Sequence, residues 1–403
     1  MSNRVRAKVK PALLKWARAS AGLTHSDAAT KANVKLEALL SWESEGEGSD
    51  SPTIPQLRKL ATAYKRPLAV FYLSEPPTRF MALKDFRRLP GGELPVMPPT
   101  VVLDSRVARE HRDAALELAK DAGQDISDFV LRASISDEPD AVAEKIRKSL
   151  KISLPLASEN RDSTGHKALK YWRTAIENKD VLVLQTDRFP ADTVSGYAIY
   201  ESKLPIVVVS RKNASPRKRL FSLVHEFTHL LLRASGVSDS SIDGDIGKAP
   251  EEQRVEVFCN AVAASALLPK EFFLANHLVA THEGTQWSDG DLASIGRDYG
   301  VSREVVLRRL LTFGRTTKAF YEETRERYKK EWQEGRIRER QERADGIPRN
   351  MANEVFSDLG RRIVWLVLDQ YYHDNLTLSD VSGLLGLKTK HIPAIEVMSR
   401  RSQ

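Results

Sequence analysis

Between Pro11 and about Ala63 the apolar positions recur at helical spacing in short runs, each closed by a brief turn. Pro11 suits a helix start, and Leu13, Leu14, Ala17 and Ala21 follow before Gly22 ends the run. Thr24 reads as the N-cap of a second helix reaching Lys31, with Asp27 three residues on as in a capping box. A third helix is predicted over Lys35 to Ser44 and a fourth over Ile54 to Tyr64. Helix, tight turn, helix is the sequence form of a helix-turn-helix.

Residues 74–100 are rich in Pro and Gly and lose this period, which predicts a linker or crossing segment. Helical spacing returns over roughly 104–178. The character then changes: Val181 to Leu184, Gly196 to Tyr200 and Leu204 to Val209 are short β-branched or aromatic runs and predict three strands of a small sheet. A strongly apolar helix follows from about Pro216 to Leu232, then a polar loop, then a helix from about Glu251 to Leu268 stopped by Pro269. Asp291 to Gly314 repeats the helix-turn-helix spacing. Residues 318–345 predict a long solvated helix of mixed charge. An apolar helix over Val355 to Tyr371 and a further helix-turn-helix-like segment, Leu376 to Val397, end the chain.

The length of 403 residues allows several domains. Hydrophobic residues at 41% and charged residues at 29% fit a globular protein and exclude wholesale disorder. No apolar run approaches the roughly 20 residues that span a bilayer, and Lys15 and Arg18 interrupt the N-terminal apolar stretch that a signal peptide would need. The lone Cys259 can form no internal disulfide and excludes a cysteine-rich zinc module. A soluble cytoplasmic protein without a membrane partner is therefore expected. The net charge of +8 suggests an acidic partner such as nucleic acid, although signs are interleaved and solubility alone explains such a charge.

The candidate chemistry lies in Phe221-Ser222-Leu223-Val224-His225-Glu226-Phe227-Thr228-His229-Leu230-Leu231-Leu232. On a helix the two histidines, four apart, stand one turn above the other, so both imidazoles can reach one metal ion. Glu226 beside the first histidine can take a proton from water at that ion. Burying His, Glu and His in an apolar helix without partners would cost several kcal/mol, which argues against an accidental match. Catalytic zinc takes three protein ligands, and the next helix offers Glu251, Glu252 and Glu256. Glu256 opens the apolar part of that helix, whereas Glu251 and Glu252 fall in its first turn, where carboxylates favour the helix dipole. Imidazole and carboxylate ligands suit Zn2+, and Mn2+ is compatible with them.

FSLVHEFTHLLL followed by EVFCNAVAASALLP resembles the ImmA/IrrE family of zinc metallopeptidases, with HExxH on one helix and a ligand Glu opening an E-x-x-[AC]-N-x-x-A-A-x-x-L-x-P string on the next. The resemblance implies His225, His229 and Glu256 as metal ligands and Glu226 as general base. It implies a metallo-endopeptidase of gluzincin type that cleaves a regulatory protein, commonly an XRE-type repressor, to derepress stress-response or mobile-element genes. KRPLAVFYLSEPP and DFRRLPG resemble the connector of family members that carry an N-terminal XRE-type helix-turn-helix. Tyr197, His277 and Arg219 are candidates for a second oxyanion donor by chemistry only. The strand Ile206, Val207, Val208 is a candidate to hold an extended substrate by strand addition.

LTHSDAATKANVKLEALLSWESE resembles an XRE domain, with His25 where that family often has Gln. Its groove-facing positions would be Lys35, Leu36, Glu37 and Leu40. Leu36 and Glu37 are poor base readers, so docking of a protein competes with DNA binding there. Arg303 and Arg308, on or near the last helix of the second helix-turn-helix-like segment, are further DNA candidates. The expected architecture is α+β and mainly helical: an XRE-like bundle over 8–73, a linker over 74–103, a zincin-like domain with a small sheet over 104–275, a helix-turn-helix-like segment over 276–317, and a charged helix with a C-terminal helical domain over 318–403. Two other functions compete: a DNA-binding regulator whose metal serves structure or sensing, and an antitoxin-like scaffold.

Overall fold

The computed structural model describes residues 6–44, 50–77, 84–85, 98–191, 193–212, 214–234, 236–238, 251–343 and 350–400. Most of the expected linker and of the loop after the apolar helix lies outside these residues. The chain forms two units, one of Met1–Asp85 with Leu89–Arg109, the other of Phe86–Arg88 with Glu110–Gln403.

The first unit is helical: α1 (Pro11–Ala19), α2 (His25–Ala32), α3 (Leu36–Glu43), α4 (Ile54–Ala63), a short strand β1 (Lys84–Asp85) and the first half of α5 (Pro99–Asp121). The Thr24 hydroxyl accepts from the Asp27 amide and starts α2, and Asn33 in the left-handed region ends it. Thr53 and Gln56 form a capping box on α4. Leu14, Leu39, Trp42, Leu57, Leu60 and Phe71 share one core. Inside it Arg18 forms a two-pronged ion pair with Glu43 at 2.9 Å and donates to the Leu23 carbonyl, while His25 Nε2 lies 3.1 Å from the same carboxylate. Glu43 thus ties α1 to α3.

The second unit begins with the end of α5 and continues through α6 (Pro139–Leu150) and α7 (His166–Glu177). Residues 122–138 and 151–165, expected as helix, hold only irregular structure and a short 3-10 turn. Gly123 at φ 66 stops α5, Pro139 starts α6, and Gly165 at φ 87 precedes α7. The sheet follows: β2 (Leu182–Pro190), β3 (Gly196–Ile199), β4 (Ile206–Lys212), then helix α8 (Pro216–Leu231) and strand β5 (Gly236–Ser238). Within this unit the strand order is β5-β3-β4-β2, with β4 parallel to β2 and antiparallel to β3. Ile206-Val207-Val208-Val209 is buried throughout, as a central strand with both faces covered requires.

Helix α9 (Glu251–Leu267) packs on α8, and α6 on α9. After α10 (Lys270–Leu274) and α11 (His277–Thr281), α12 (Asp289–Tyr299) and α13 (Arg303–Thr312) pack together, and α14 (Lys318–Arg343) packs on α13. The chain closes with α15 (Met351–Tyr372), α16 (Leu378–Leu385) and α17 (Ile392–Arg400). Helix α15 packs along β2, the terminal strand of the sheet. There Ser357 O accepts from Arg173 Nη1 at 2.6 Å and Gln185 Nε2 at 3.0 Å, and Arg211 pairs with Asp358 at 2.8 Å. At Gly360 (φ 80, ψ 167) the helix breaks; a Cβ there would lie 2.6 Å from Glu177 Oε1, 2.7 Å from Arg173 Nη2 and 3.1 Å from Val183 O. Only glycine allows this approach. Among the described residues no helix is long and apolar enough to cross a membrane.

Candidate metal centre

Helix α8 opens cleanly: Pro216 sits in its first turn, and the Ser215 hydroxyl accepts from the Lys218 amide at 3.2 Å. From Leu220 to Leu231 every residue is buried, so the helix is clamped between the sheet and α9. His225 is 2% exposed and Glu226 and His229 are fully buried. Helix α9 presents Glu256, 3% exposed, to the same point. The side chains of Glu251 and Glu252 lie outside the described residues.

The donor atoms converge. His225 Nε2 and His229 Nε2 are 3.1 Å apart; Glu256 Oε2 lies 3.2 Å from the first and Oε1 3.1 Å from the second. Zinc binds nitrogen and oxygen at about 2.0–2.2 Å, and donors at tetrahedral corners of that radius stand about 3.3 Å apart. The three residues therefore fit a tetrahedral metal by spacing and by chemistry. Among the described residues no fourth His, Cys, Asp or Glu joins the group, which leaves a coordination position for water or substrate.

Burial and charge act in opposite directions on the three groups. Burial opposes a charge on His225, but the negative Glu256, its hydrogen bond, the Glu226 charge and a hydrogen bond to Asn260 raise its pKa to about 9. Burial lowers that of His229. Burial pushes Glu256 upward, and the two histidines overcome this and bring it to about 2. A cation that binds here must displace the proton that the Glu256 charge favours on His225.

Glu226 lies against β3. A Cβ on Gly196 would stand 3.0 Å from Glu226 Cγ and Oε1 and 2.6 Å from the Val208 carbonyl. Gly196 therefore sets how closely the sheet approaches the carboxylate beside the triad. Glycine at a strand start signals such an approach, and Asn260, one helical turn after Glu256, shares its face by spacing alone. Both went unassigned on sequence grounds.

Other candidates stand elsewhere. Strand β4 pairs with β2 along one edge and β3 along the other, so Ile206, Val207 and Val208 have no open edge for a substrate, and strand addition there is ruled out. Tyr197 is fully buried on β3, itself paired with β5 at Tyr197↔Val237. Arg219 points to β2, donating to Gln185 Oε1 at 2.6 Å, and does not serve as an oxyanion donor in this arrangement. His277 is exposed at the start of α11. Arg303 pairs with Glu331 at 2.9 Å and lies over Tyr328, and Arg308 lies over Tyr321, so α14 occupies the cations expected to meet DNA. Lys35 is exposed at the N-cap of α3.

Residues 177–311 match the family model described as Peptidase_M78, IrrE N-terminal-like domain. The matched stretch contains α8 and α9, hence the whole His225, His229, Glu256 group, and supports a metallopeptidase-like domain of the ImmA/IrrE kind. No curated protein and no solved structure matches the chain.

Proposed function

We propose that the chain is a zinc-dependent endopeptidase of gluzincin type whose substrate is a regulatory protein, an XRE-type repressor by its family resemblance. The observation that carries this reading is the convergence of His225, His229 and Glu256 at 3.1–3.2 Å with Glu226 beside them on the same buried helix. His225 Nε2, His229 Nε2 and Glu256 hold the ion. When bound, zinc supplies Lewis-acid polarisation of the scissile carbonyl and lowers the pKa of water toward neutrality. The Glu226 carboxylate accepts the proton of the attacking water and delivers it to the leaving amide nitrogen. The buried surroundings of Glu226 exclude bulk water and keep the proton local. A site used for structure alone closes its fourth position with another protein ligand and needs no base, which favours catalysis over the structural or sensing reading.

The test is incubation of the zinc-loaded protein with an XRE-type repressor encoded beside it, resolved by intact mass. Cleavage at one bond by the wild type, and none by Glu226→Gln at equal zinc content, is expected. Equal cleavage by both proteins would remove Glu226 from the mechanism. No cleavage by fully loaded wild type would contradict that choice of substrate.

A further inference from the structure

One backbone design occurs twice in the second unit: a helix, a glycine in the left-handed region, a short turn, and a second helix. In α12–α13 the glycine is Gly300 (φ 73, ψ 19); in α16–α17 it is Gly386 (φ 61, ψ 29). Such a residue ends the first helix and redirects the chain; α13 then packs on α12, whereas α16 and α17 both pack on α15. The outer faces of the two second helices differ. Helix α13 is covered by α14: Arg303 pairs with Glu331, Arg308 lies over Tyr321, and the buried Arg309 donates to the Leu268 carbonyl at 2.7 Å.

Helix α17 packs on α15, burying Ile392, Ile395 and Ser399, and leaves Pro393, Ala394, Val397 and Arg400 exposed. Lys388, Thr389 and Lys390 stand exposed in the turn before it, with His391 half-buried. Among the described residues Lys388 and Lys390 meet no carboxylate, and Arg400 Nη2 donates to the Tyr372 hydroxyl at 3.5 Å. Of the nearby acids, Asp380 is held at the opposite end of α16 in the capping box with Thr377, at 2.6 Å from its hydroxyl, and Glu396, on α17 itself, is half-buried.

We propose that α16–α17 is a DNA-binding helix-turn-helix, with α17 entering the major groove of duplex DNA. Its exposed charges, Lys388, Lys390 and Arg400, are cations complementary to phosphates and outnumber the half-buried Glu396, and the two lysines lie in the turn that leads into α17. Thr389 and Ala394 are small enough to let the helix approach base edges, and a methyl group there suits the thymine methyl. Helix α3 of the first unit carries the exposed cation Lys35 at its N-cap, but its outer face offers Leu36, Glu37 and Leu40, two apolar groups and a carboxylate that suit phosphates and base edges less well. This activity is separate from the peptidase reading and stands without it.

The experiment titrates the full-length protein into a fluorescein-labelled random-sequence duplex of ~30 base pairs at stepped salt, followed by anisotropy. The wild type binds, more weakly as salt rises. Lys388→Ala/Lys390→Ala binds at least about 10-fold more weakly at low salt, and its salt slope falls by about 1.8, the value for two lost phosphate contacts. Ala394→Glu, which puts a carboxylate on the same face, also loses binding, while Lys35→Ala keeps it, all with unchanged circular dichroism and zinc content. Absence of duplex binding by the wild type overturns the proposal. So does wild-type affinity and slope in the double variant, which would assign binding to the overall charge, or a loss confined to Lys35→Ala, which would assign it to α3.

Discussion

Gly196 at the start of β3 lies against the carboxylate of Glu226, so closely that a single added methyl group would stand 3.0 Å from both Cγ and Oε1. On the other side the same methyl would meet the Val208 carbonyl at 2.6 Å, a backbone atom of the central strand that cannot swing aside. Gly196→Ala therefore forces β3 and β4 to shift against each other, and the added methyl also presses on the Glu226 side chain. A displacement near 1 Å at a reacting group lowers the rate about 100-fold. We expect kcat to fall by that order with zinc content unchanged. Wild-type kcat in Gly196→Ala would show that the base does not depend on this approach.

Metal uptake should release protons. In the metal-free triad His225 has a pKa near 9 and is protonated at pH 7, whereas a metal ligand must be neutral. Each zinc bound between pH 7 and 8 then expels about one proton, and apparent affinity rises about tenfold per pH unit up to pH ~9, above which it levels. Calorimetric titration in two buffers of different ionisation enthalpy reads the proton count directly. A count of zero would contradict the arrangement of His225 against Glu256.

The break in α15 is fixed by Gly360. A Cβ there would press on Glu177, Arg173 and the Val183 carbonyl, and the positive φ is itself unfavourable for alanine. Gly360→Ala should destabilise the second unit by about 2–3 kcal/mol and expose α15 to limited proteolysis. An unchanged melting temperature and digestion pattern would show that α15 tolerates a different path along β2.

In the first unit, Glu43→Ala leaves the Arg18 guanidinium buried without its carboxylate. Breaking one partner of a buried pair typically costs about 3–5 kcal/mol. Arg18→Met/Glu43→Leu removes both charges and should recover most of the loss. Chemical denaturation followed by Trp fluorescence compares them; equal stability of Glu43→Ala and wild type would mean that the pair contributes little.

What was legible in the sequence is what depends on near neighbours. The spacing of His225 and His229 fixes their common face whatever surrounds the helix, and the β-branched run of β4 marks a strand. Glu256 is different, because its meeting with the histidines depends on how α9 packs on α8; the residue pattern ranked it first and the resemblance singled it out. The polar half of β2 was not legible, since Gln185 is buried by hydrogen bonds to Ser357, far along the chain. The breaks between α5, α6 and α7 carried local signals in Gly123, Pro139 and Gly165 that the regular spacing of the flanking residues masked. Strand addition at Ile206 to Val208 failed for a topological reason: a run of β-branched residues looks the same at the edge or in the centre of a sheet, and here it is central. The arginines Arg303 and Arg308 looked like an exposed basic face because the helix that covers them, α14, is itself so highly charged.

We propose that His225, His229 and Glu256 hold one zinc ion and that Glu226 is not a ligand. Metal analysis of purified protein after dialysis against limiting chelator separates the ligands from the base. The wild type and Glu226→Gln should each retain about one zinc per chain, and His225→Ala, His229→Ala and Glu256→Ala close to none, all with native circular dichroism. Full zinc retention by folded Glu256→Ala, or loss of zinc from folded Glu226→Gln, would contradict this assignment of the site.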